Sequence, residues 1–174
     1  MQTAEKALAQ QMRRDGLSMK MIEQRLGVAR STVSLWVRPL HVAGCMLHWA
    51  EGSKHRNAAQ IANSDSAVIA LFARFLRHYF AAPEAALRVA CNLFADHEER
   101  QREIEDFWLR TVDVPRACLT KSSINTYSRA SKRKRIGRLP YGTCRLTFHS
   151  TRAVQHIYGA IQEYGGFERP EWLG

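Results

Sequence analysis

The strongest constraint on the fold is a glycine at position 27 that separates two short amphipathic segments. The apolar residues on both sides of it repeat at the spacing of one helix face: Met19, Ile22, Leu26, Val33 and Trp36. Gly27 can adopt a positive φ angle, which permits a sharp turn. The pattern therefore predicts a helix over residues 19–26, a tight turn, and a second helix that begins at Arg30 or Ser31.

A third amphipathic segment, residues 4–14, precedes this pair and ends at Gly16, so residues 1–39 are predicted to form a three-helix module closed by Pro39. Val28 is predicted to fill the corner of the turn. The N-terminal part of the last helix would then be exposed, and in a helix-turn-helix this part enters the major groove of DNA. The predicted DNA contacts in this module are Arg30, Ser31, Thr32, Ser34 and Arg38. The segment resembles the helix-turn-helix of resolvases and of many bacterial repressors.

The overall charge agrees with a polyanionic partner. The chain has 26 Lys and Arg residues against 16 Asp and Glu residues, a formal net charge of +10. Such an excess attracts nucleic acid through long-range forces and counterion release. Residues 1–8 lack the pattern of a secretory signal, and no apolar run approaches the length of a membrane span. We therefore expect an intracellular protein, cytoplasmic and associated with the nucleoid.

The rest of the chain alternates between helical and extended patterns. Helices are predicted over 41–51, 66–79, 96–110 and 151–164, and strands over 57–63, 87–94, 117–124 and 145–148. Helices that pack on one face of a small sheet form an α+β domain, here residues 40–166. The tail, residues 167–174, is predicted to pack loosely. Four scattered cysteines are expected to be buried thiols rather than zinc ligands: Cys45, Cys91, Cys118 and Cys144.

Residues 42–54, V-A-G-C-M-L-H-W-A-E-G-S-K, resemble the signature helix of the LAGLIDADG homing endonucleases. The A-E-G at residues 50–52 matches the end of the motif, and an N-S-D segment followed by an I-x-x-x-F-x-x-x-L type helix is also similar to that family. The resemblance implies that two such helices pack together through the small residues Ala43, Gly44 and Ala50, with Leu47 also on this dimer helix. It also implies that Glu51 is the catalytic ligand of a Mg²⁺ ion, which can activate water at a scissile phosphate. With one motif per chain, a homodimer would bind a nearly palindromic site.

The signature helix departs from the family at two positions. Met46 stands where the family usually has Gly, and Trp49 where it often has Asp. The strand count after the helix also looks reduced. These departures favour a non-catalytic relative that binds a specific DNA sequence. The alternatives are a Mg²⁺-dependent endonuclease that acts as a homodimer, and an RNA-binding factor similar to maturases.

A basic run at residues 129–138 contains six Lys or Arg residues in ten positions. We expect this run and nearby cations to contact phosphates: Lys54, Arg56, Lys121, Arg129, Lys132, Arg133, Lys134, Arg135 and Arg138. The alternative is a solvated loop. Two other groups are not predicted to bind metal. His41, His48 and His55 are spaced by seven residues, about two helical turns, which is too far for one ion, and the acidic residues near Asp96 suit a helix N-terminus.

Overall fold

The computed structural model describes residues 2–125 and 139–172, which form seven α-helices and a four-stranded mixed sheet, in agreement with the predicted α+β class. The elements are α1 (Gln2–Arg14), α2 (Met19–Leu26), α3 (Arg30–Val37), α4 (Pro39–Glu51), β1 (Ala58–Asn63), α5 (Ser66–Phe80), β2 (Leu87–Phe94), α6 (Gln101–Val112), β3 (Ser123–Asn125), β4 (Thr143–His149) and α7 (Thr151–Gly165). Within the described ranges, every helix is too short or too polar to cross a membrane.

The sheet has the order β1-β4-β2-β3. Strand β4 pairs antiparallel with both β1 and β2, while β3 pairs parallel with β2 over three residues. In this register Leu146 lies opposite Ile61 on one side and Val89 on the other. Because side chains alternate between the faces of a strand, these three residues mark the face that points into the core.

Helices α4 to α7 supply the other half of this core. The largest buried side chains include Phe72 and Phe75 of α5 and Trp108 of α6, and all three join the cluster formed by the inner face of the sheet. Trp108 also donates its indole N–H to the backbone oxygen of Tyr141 at 2.7 Å. The buried aromatic groups thereby place the helices on one face of the sheet, as predicted.

Several predicted boundaries are wrong for local reasons. Pro39 opens α4 rather than closing α3, because proline suits the first turn of a helix, where its missing N–H is not needed. Residues 95–100 form a 3₁₀ segment, and α6 begins only at Gln101. The predicted strand over 117–124 is a 3₁₀ turn followed by the short β3, with a single bridge from Leu119 to Val89.

Residues 167–172 of the tail are packed, which corrects the expectation of a loose segment, while residues 173 and 174 lie outside the described residues. Phe167 and Trp172 both pack against the main core. The Trp172 ring lies 5.1 Å from that of Tyr158 and 5.9 Å from that of Phe167. The backbone N–H of Arg169 donates to the Gln162 side chain. Aromatic contacts of this kind bury a large apolar area, so residues 167–172 belong to the folded unit.

All four cysteines are buried and free, as predicted. Burial raises the pKa of Cys45 to about 12 and the pKa of Cys91 to about 11. Burial also raises the pKa of Cys144 above its usual value. A thiol that stays protonated is a poor nucleophile and a poor metal ligand, so these residues act as small apolar side chains in the core.

Candidate nucleic-acid interface

The turn between α2 and α3 has the geometry that the sequence predicts. Ser18 caps α2, because its Oγ accepts a hydrogen bond from the backbone N–H of Met21 at 3.3 Å. Gly27 follows α2 at φ +63°, and its N–H donates to the Glu23 oxygen at 2.9 Å. A side chain at this left-handed position would be strained. The glycine therefore fixes the angle at which α3 leaves α2.

A small core of its own anchors α3. Ala9, Ile22, Val33 and Trp36 are buried together, apart from the main core. Val28 packs at the edge of this cluster. Because one buried residue comes from α1, one from α2 and two from α3, the three helices are held in a defined arrangement, and the opposite face of α3 is left open.

The open face of α3 differs in part from the predicted one. Ser31 is exposed and Thr32 is half-buried, as a contact with DNA requires. The expectation that Ser34 is exposed is wrong, because only 2% of it is accessible. Leu35 is instead exposed to 52%. Sequence reasoning missed Leu35, although its position four residues after Ser31 puts both on one helix face.

The two arginines at the ends of α3 point toward the rest of the chain. Arg30 forms an ion pair with Glu163 of α7, with 3.2 Å between Nε and Oε1. Arg38 is half-buried between α3 and α4, and its charge acts on His41 and His156. Both residues were predicted to contact DNA. Their present surroundings place them beside α7 rather than on the open face of α3.

The second candidate surface is the face of the sheet that points away from the helices. Alternation along the strands places a polar set on this face: Gln60, Arg88, Asn92, Ser123, Asn125, Arg145 and Thr147. Two hydrogen bonds order it, from Thr147 to Gln60 at 3.0 Å and from Ser123 to Asn92 at 2.9 Å. Sequence analysis did not select these residues, although their alternation with apolar residues was the available signal.

A buried carboxylate holds the edge of this surface. Glu105 of α6 accepts hydrogen bonds from Gln101 at 2.8 Å, from Ser122 at 2.7 Å and from Arg116 at 3.0 Å. Burial alone would raise the pKa of Glu105, but these three donors outweigh it and lower the pKa. The contact with Ser122 fixes the chain just before β3, and the basic run begins a few residues after β3.

The remaining predicted phosphate contacts are scattered. Lys121 is exposed next to β3. Lys54 and Arg56 are exposed after α4, where Lys54 donates to the Trp49 oxygen at 2.8 Å and Arg56 to the Glu171 oxygen at 3.5 Å. The basic run, Arg129, Lys132, Arg133, Lys134, Arg135 and Arg138, lies outside the described residues.

The small residues of α4 lie in different surroundings. Gly44 is buried against Phe75, and any side chain there would overlap the Phe75 ring. Leu47 packs on the main core and Ala43 is half-buried. Ala50 is exposed. Gly44 thus allows close contact between α4 and α5 of the same chain, and Ala50 remains accessible to a partner.

Glu51 is exposed at the end of α4, and among residues 2–125 and 139–172 it forms no ion pair with Lys54 or Arg56. The same described part of the chain contains no group of three or more His, Cys, Asp or Glu residues placed to hold a metal. Mg²⁺ prefers several oxygen ligands. Among the described residues of one chain, Glu51 therefore belongs to no group of three such side chains, which leaves fewer ligands than Mg²⁺ prefers.

A histidine pair lies between α4 and α7, next to the three-helix module α1–α3. His41 and His156 approach to 2.8 Å between their Nε2 atoms, and Nδ1 of His41 lies 2.6 Å from the Tyr164 hydroxyl. Burial, with further effects of His156 and Arg38, lowers the pKa of His41 to about 4. Burial also lowers the pKa of His156. Both rings are therefore neutral at pH 7, and one donates a hydrogen bond to the other.

The other histidines named in the sequence analysis do not extend this pair. His48 is buried in the main core, whereas His55 is exposed. The three rings, spaced by seven residues in the chain, therefore lie in different surroundings.

Compared with protein-family models, with curated proteins and with solved structures, the chain has no significant match.

Proposed function

We propose that this protein binds specific double-stranded DNA sequences through its helix-turn-helix and acts as a non-catalytic regulator. The observation that carries the proposal is the open face of α3. Ser31 and Leu35 are exposed there, while Val33 and Trp36 anchor the opposite face in a separate small core. A helix presented in this way fits the major groove.

The side chains on this face suit contacts with base edges. The Ser31 and Thr32 hydroxyls can donate or accept hydrogen bonds, and the Leu35 side chain can contact a thymine methyl group. The formal net charge of +10 supplies the attraction to phosphates that does not depend on sequence. We propose that the polar face of the sheet adds phosphate contacts through Arg88 and Arg145.

A homodimer is part of this proposal, because helix-turn-helix proteins commonly bind two half-sites about one DNA turn apart. Ala50 and Trp49, both exposed at the end of α4, are accessible to a second copy. Such a protein would act in the cytoplasm at the nucleoid. The LAGLIDADG-like relationship of residues 40–166 stays a proposal that rests on the A-E-G ending and the N-S-D segment.

The first experiment selects bound duplexes from a randomised library and then measures affinity for the selected site. Leu35→Glu places a negative charge on the open face of α3, and we expect it to weaken binding by tenfold or more, since like charges repel. Leu8→Glu is the matched control, because Leu8 is also exposed, to 48%, but lies on α1. If both variants lose equal affinity for the selected duplex, or if no sequence is selected at all, recognition of DNA by α3 is contradicted.

The sheet surface is tested separately by the salt dependence of the affinity. Arg145→Gln should reduce the slope of log affinity against log salt by about one, because each phosphate contact releases about one counterion. Arg74→Gln is the control, since Arg74 is exposed on α5. If both substitutions change the slope equally, the effect belongs to overall charge and not to the sheet.

Assays on the same selected duplex distinguish the regulator from the endonuclease and from the RNA-binding factor. Mg²⁺-dependent cleavage at the site that disappears in Glu51→Gln would replace the regulator with an endonuclease. Structured RNA that competes more strongly than the duplex would favour the maturase-like alternative. Intact DNA, with an affinity that Glu51→Gln does not change, is the result expected for a regulator.

A further inference from the structure

A cleft of about 580 Å³ separates the helix-turn-helix from α7. One wall carries Arg13, Lys20, Arg30 and Arg38, and the other carries His156 and Glu163. This volume lies within the range of about 300–1,000 Å³ that is typical of small-molecule sites. The cleft is therefore large enough for a ligand of nucleotide size.

The charges of the cleft are unbalanced. Arg30 is paired with Glu163 at 3.2 Å. Among the described residues, Arg13, Lys20 and Arg38 have no carboxylate within ion-pair distance. A concave surface with like charges concentrates positive potential. The site therefore attracts an anion with more than one negative charge.

The polar groups at the base of the cleft add hydrogen-bonding capacity. The linked rings of His41 and His156 and the Tyr164 hydroxyl line it together with the cations. Guanidinium groups bind phosphate oxygens in a bidentate manner. Met19 and Ala160 form an apolar part of the cleft wall. This combination suits a ligand with a phosphate at one end and an organic group at the other.

The position of the cleft separates it from the proposed DNA-reading face. Ser34 lies in the cleft and is buried, whereas Ser31 and Leu35 point to solvent. Successive residues of a helix are about 100° apart, so Ser34 and Leu35 face different directions. A duplex against the open face of α3 leaves the cleft to a smaller molecule.

We propose that this cleft binds a small phosphorylated organic molecule, and that the bound phosphate competes with Glu163 for Arg30. Since Arg30 is the first residue of α3, the exchange of partners changes the contacts that hold α3 against α7. The anion site stands on the geometry of the cleft alone. The effect on DNA affinity additionally rests on the proposed function.

The binding test uses isothermal titration of the full chain, without DNA, by inorganic pyrophosphate and by AMP, with adenosine as the uncharged control. We expect both anions to bind and adenosine not to bind. Arg38→Gln should weaken pyrophosphate binding about tenfold or more, as the loss of a charge-assisted hydrogen bond predicts. Arg74→Gln, with the same charge change outside the cleft, should weaken it less than about twofold. If neither anion gives a heat of binding, or if Arg38→Gln and Arg74→Gln lose equal affinity for pyrophosphate, the proposed anion site is refuted.

A second readout locates the anion. The C2 protons of His41 and His156 are followed by NMR across a pH titration, and bound pyrophosphate should raise the apparent pKa of the pair because a nearby negative charge favours the charged ring. The C2-proton signal of His55, which is exposed outside the cleft, should not move when pyrophosphate is added. Equal shifts at His55 would mean that the anion does not occupy the cleft.

The last arm distinguishes a small ligand from a DNA phosphate in the same cleft. At constant ionic strength, the affinity for the selected duplex should change as the pyrophosphate concentration rises and should then reach a plateau. A plateau is expected because the coupling free energy between two sites is limited. A loss of duplex affinity that continues without a plateau would mean that DNA occupies these cations, and it would overturn the small-molecule assignment. Pyrophosphate binding without any duplex binding would refute the proposed function and leave the anion site standing.

Discussion

His48 gives a sharp prediction because it is buried without a hydrogen-bond partner. The residue is 0% exposed, and among the described residues neither ring nitrogen has a partner. Its ring stacks on Phe72 at 6.1 Å and meets the Tyr158 ring edge at 5.7 Å. Burial, with a smaller effect of the Lys54 charge, lowers the pKa of His48 to about 4.

The sign of the pH effect follows from the two pKa values. The unfolded chain binds a proton at His48 near pH 6.5, whereas the folded chain binds it near pH 4. Acid therefore favours the unfolded state, and stability is lost as the pH falls from about 7 toward 4. Linkage gives a loss of about 2 kcal/mol in the free energy of unfolding between pH 7 and pH 5 for one such histidine. His41, with a similar pKa, should add a comparable loss.

The assay is urea unfolding at pH 7 and pH 5, followed by circular dichroism. In His48→Leu the loss of stability between the two pH values should be smaller than in the wild-type protein by about 2 kcal/mol. His55→Leu is the control, because His55 is exposed and its substitution should leave the loss unchanged. Since each comparison is made within one variant, a general change in stability does not affect it.

An unchanged loss in His48→Leu would refute the reasoning, because it would mean that His48 is solvated or already charged in the folded protein. Two carboxylates that accept hydrogen bonds from arginine do not contribute to a loss of stability above pH 5. Hydrogen bonds from Arg100 and Arg116 lower the pKa of Glu103 and Asp106 respectively. Carboxylates of this kind lose their contribution only at lower pH, as they become protonated.

Three further predictions concern the packing. Gly27→Ala should lower the free energy of unfolding by about 1 kcal/mol, because Gly27 has φ +63°. Gly159→Ala within α7 should raise the free energy of unfolding by about 1 kcal/mol, because nothing obstructs a Cβ there. If thermal unfolding shows that both substitutions change the stability in the same direction, the turn geometry is contradicted. Gly44→Val should cost about 2 kcal/mol through overlap with Phe75, and an unaffected midpoint in urea would show that α4 and α5 are further apart. Trp172→Ala should lower the free energy of unfolding by about 1–2 kcal/mol, because Trp172 packs against the main core. An effect no larger than that of Glu168→Ala, at an exposed residue, would mean that the tail is a loose segment.

Local sequence signals predicted the elements whose cause is local. The bounds of α2 and β2 agree with prediction at both ends. A serine cap, an apolar stripe and a terminal glycine define α2, and all of them lie within ten residues. Buried and half-buried residues alternate along the eight positions of β2 except at Ala90, which is also buried. Such signals depend on neighbours in the chain, so they can be read without the fold.

Long-range packing decided what the sequence left open. Ser34 is buried on α3, which packs against α1, α2 and α4, and no local pattern states this set of neighbours. The His41–His156 contact joins residues 115 positions apart. Residues 167–172 pack on the core because Trp172 contacts Tyr158, which lies near the middle of α7. Each of these features requires the approach of surfaces that only the complete fold brings together.

The sequence by itself thus determined the class of the fold, the turn at Gly27 and the basic character of the chain. The tertiary structure decided which side of α3 is open, and it placed Arg30 against Glu163. The physical reason is that hydrophobic periodicity records whether a residue faces a core. It does not record which element lies on the other side, and that neighbouring element determines the charges and the cleft beside the three-helix module α1–α3.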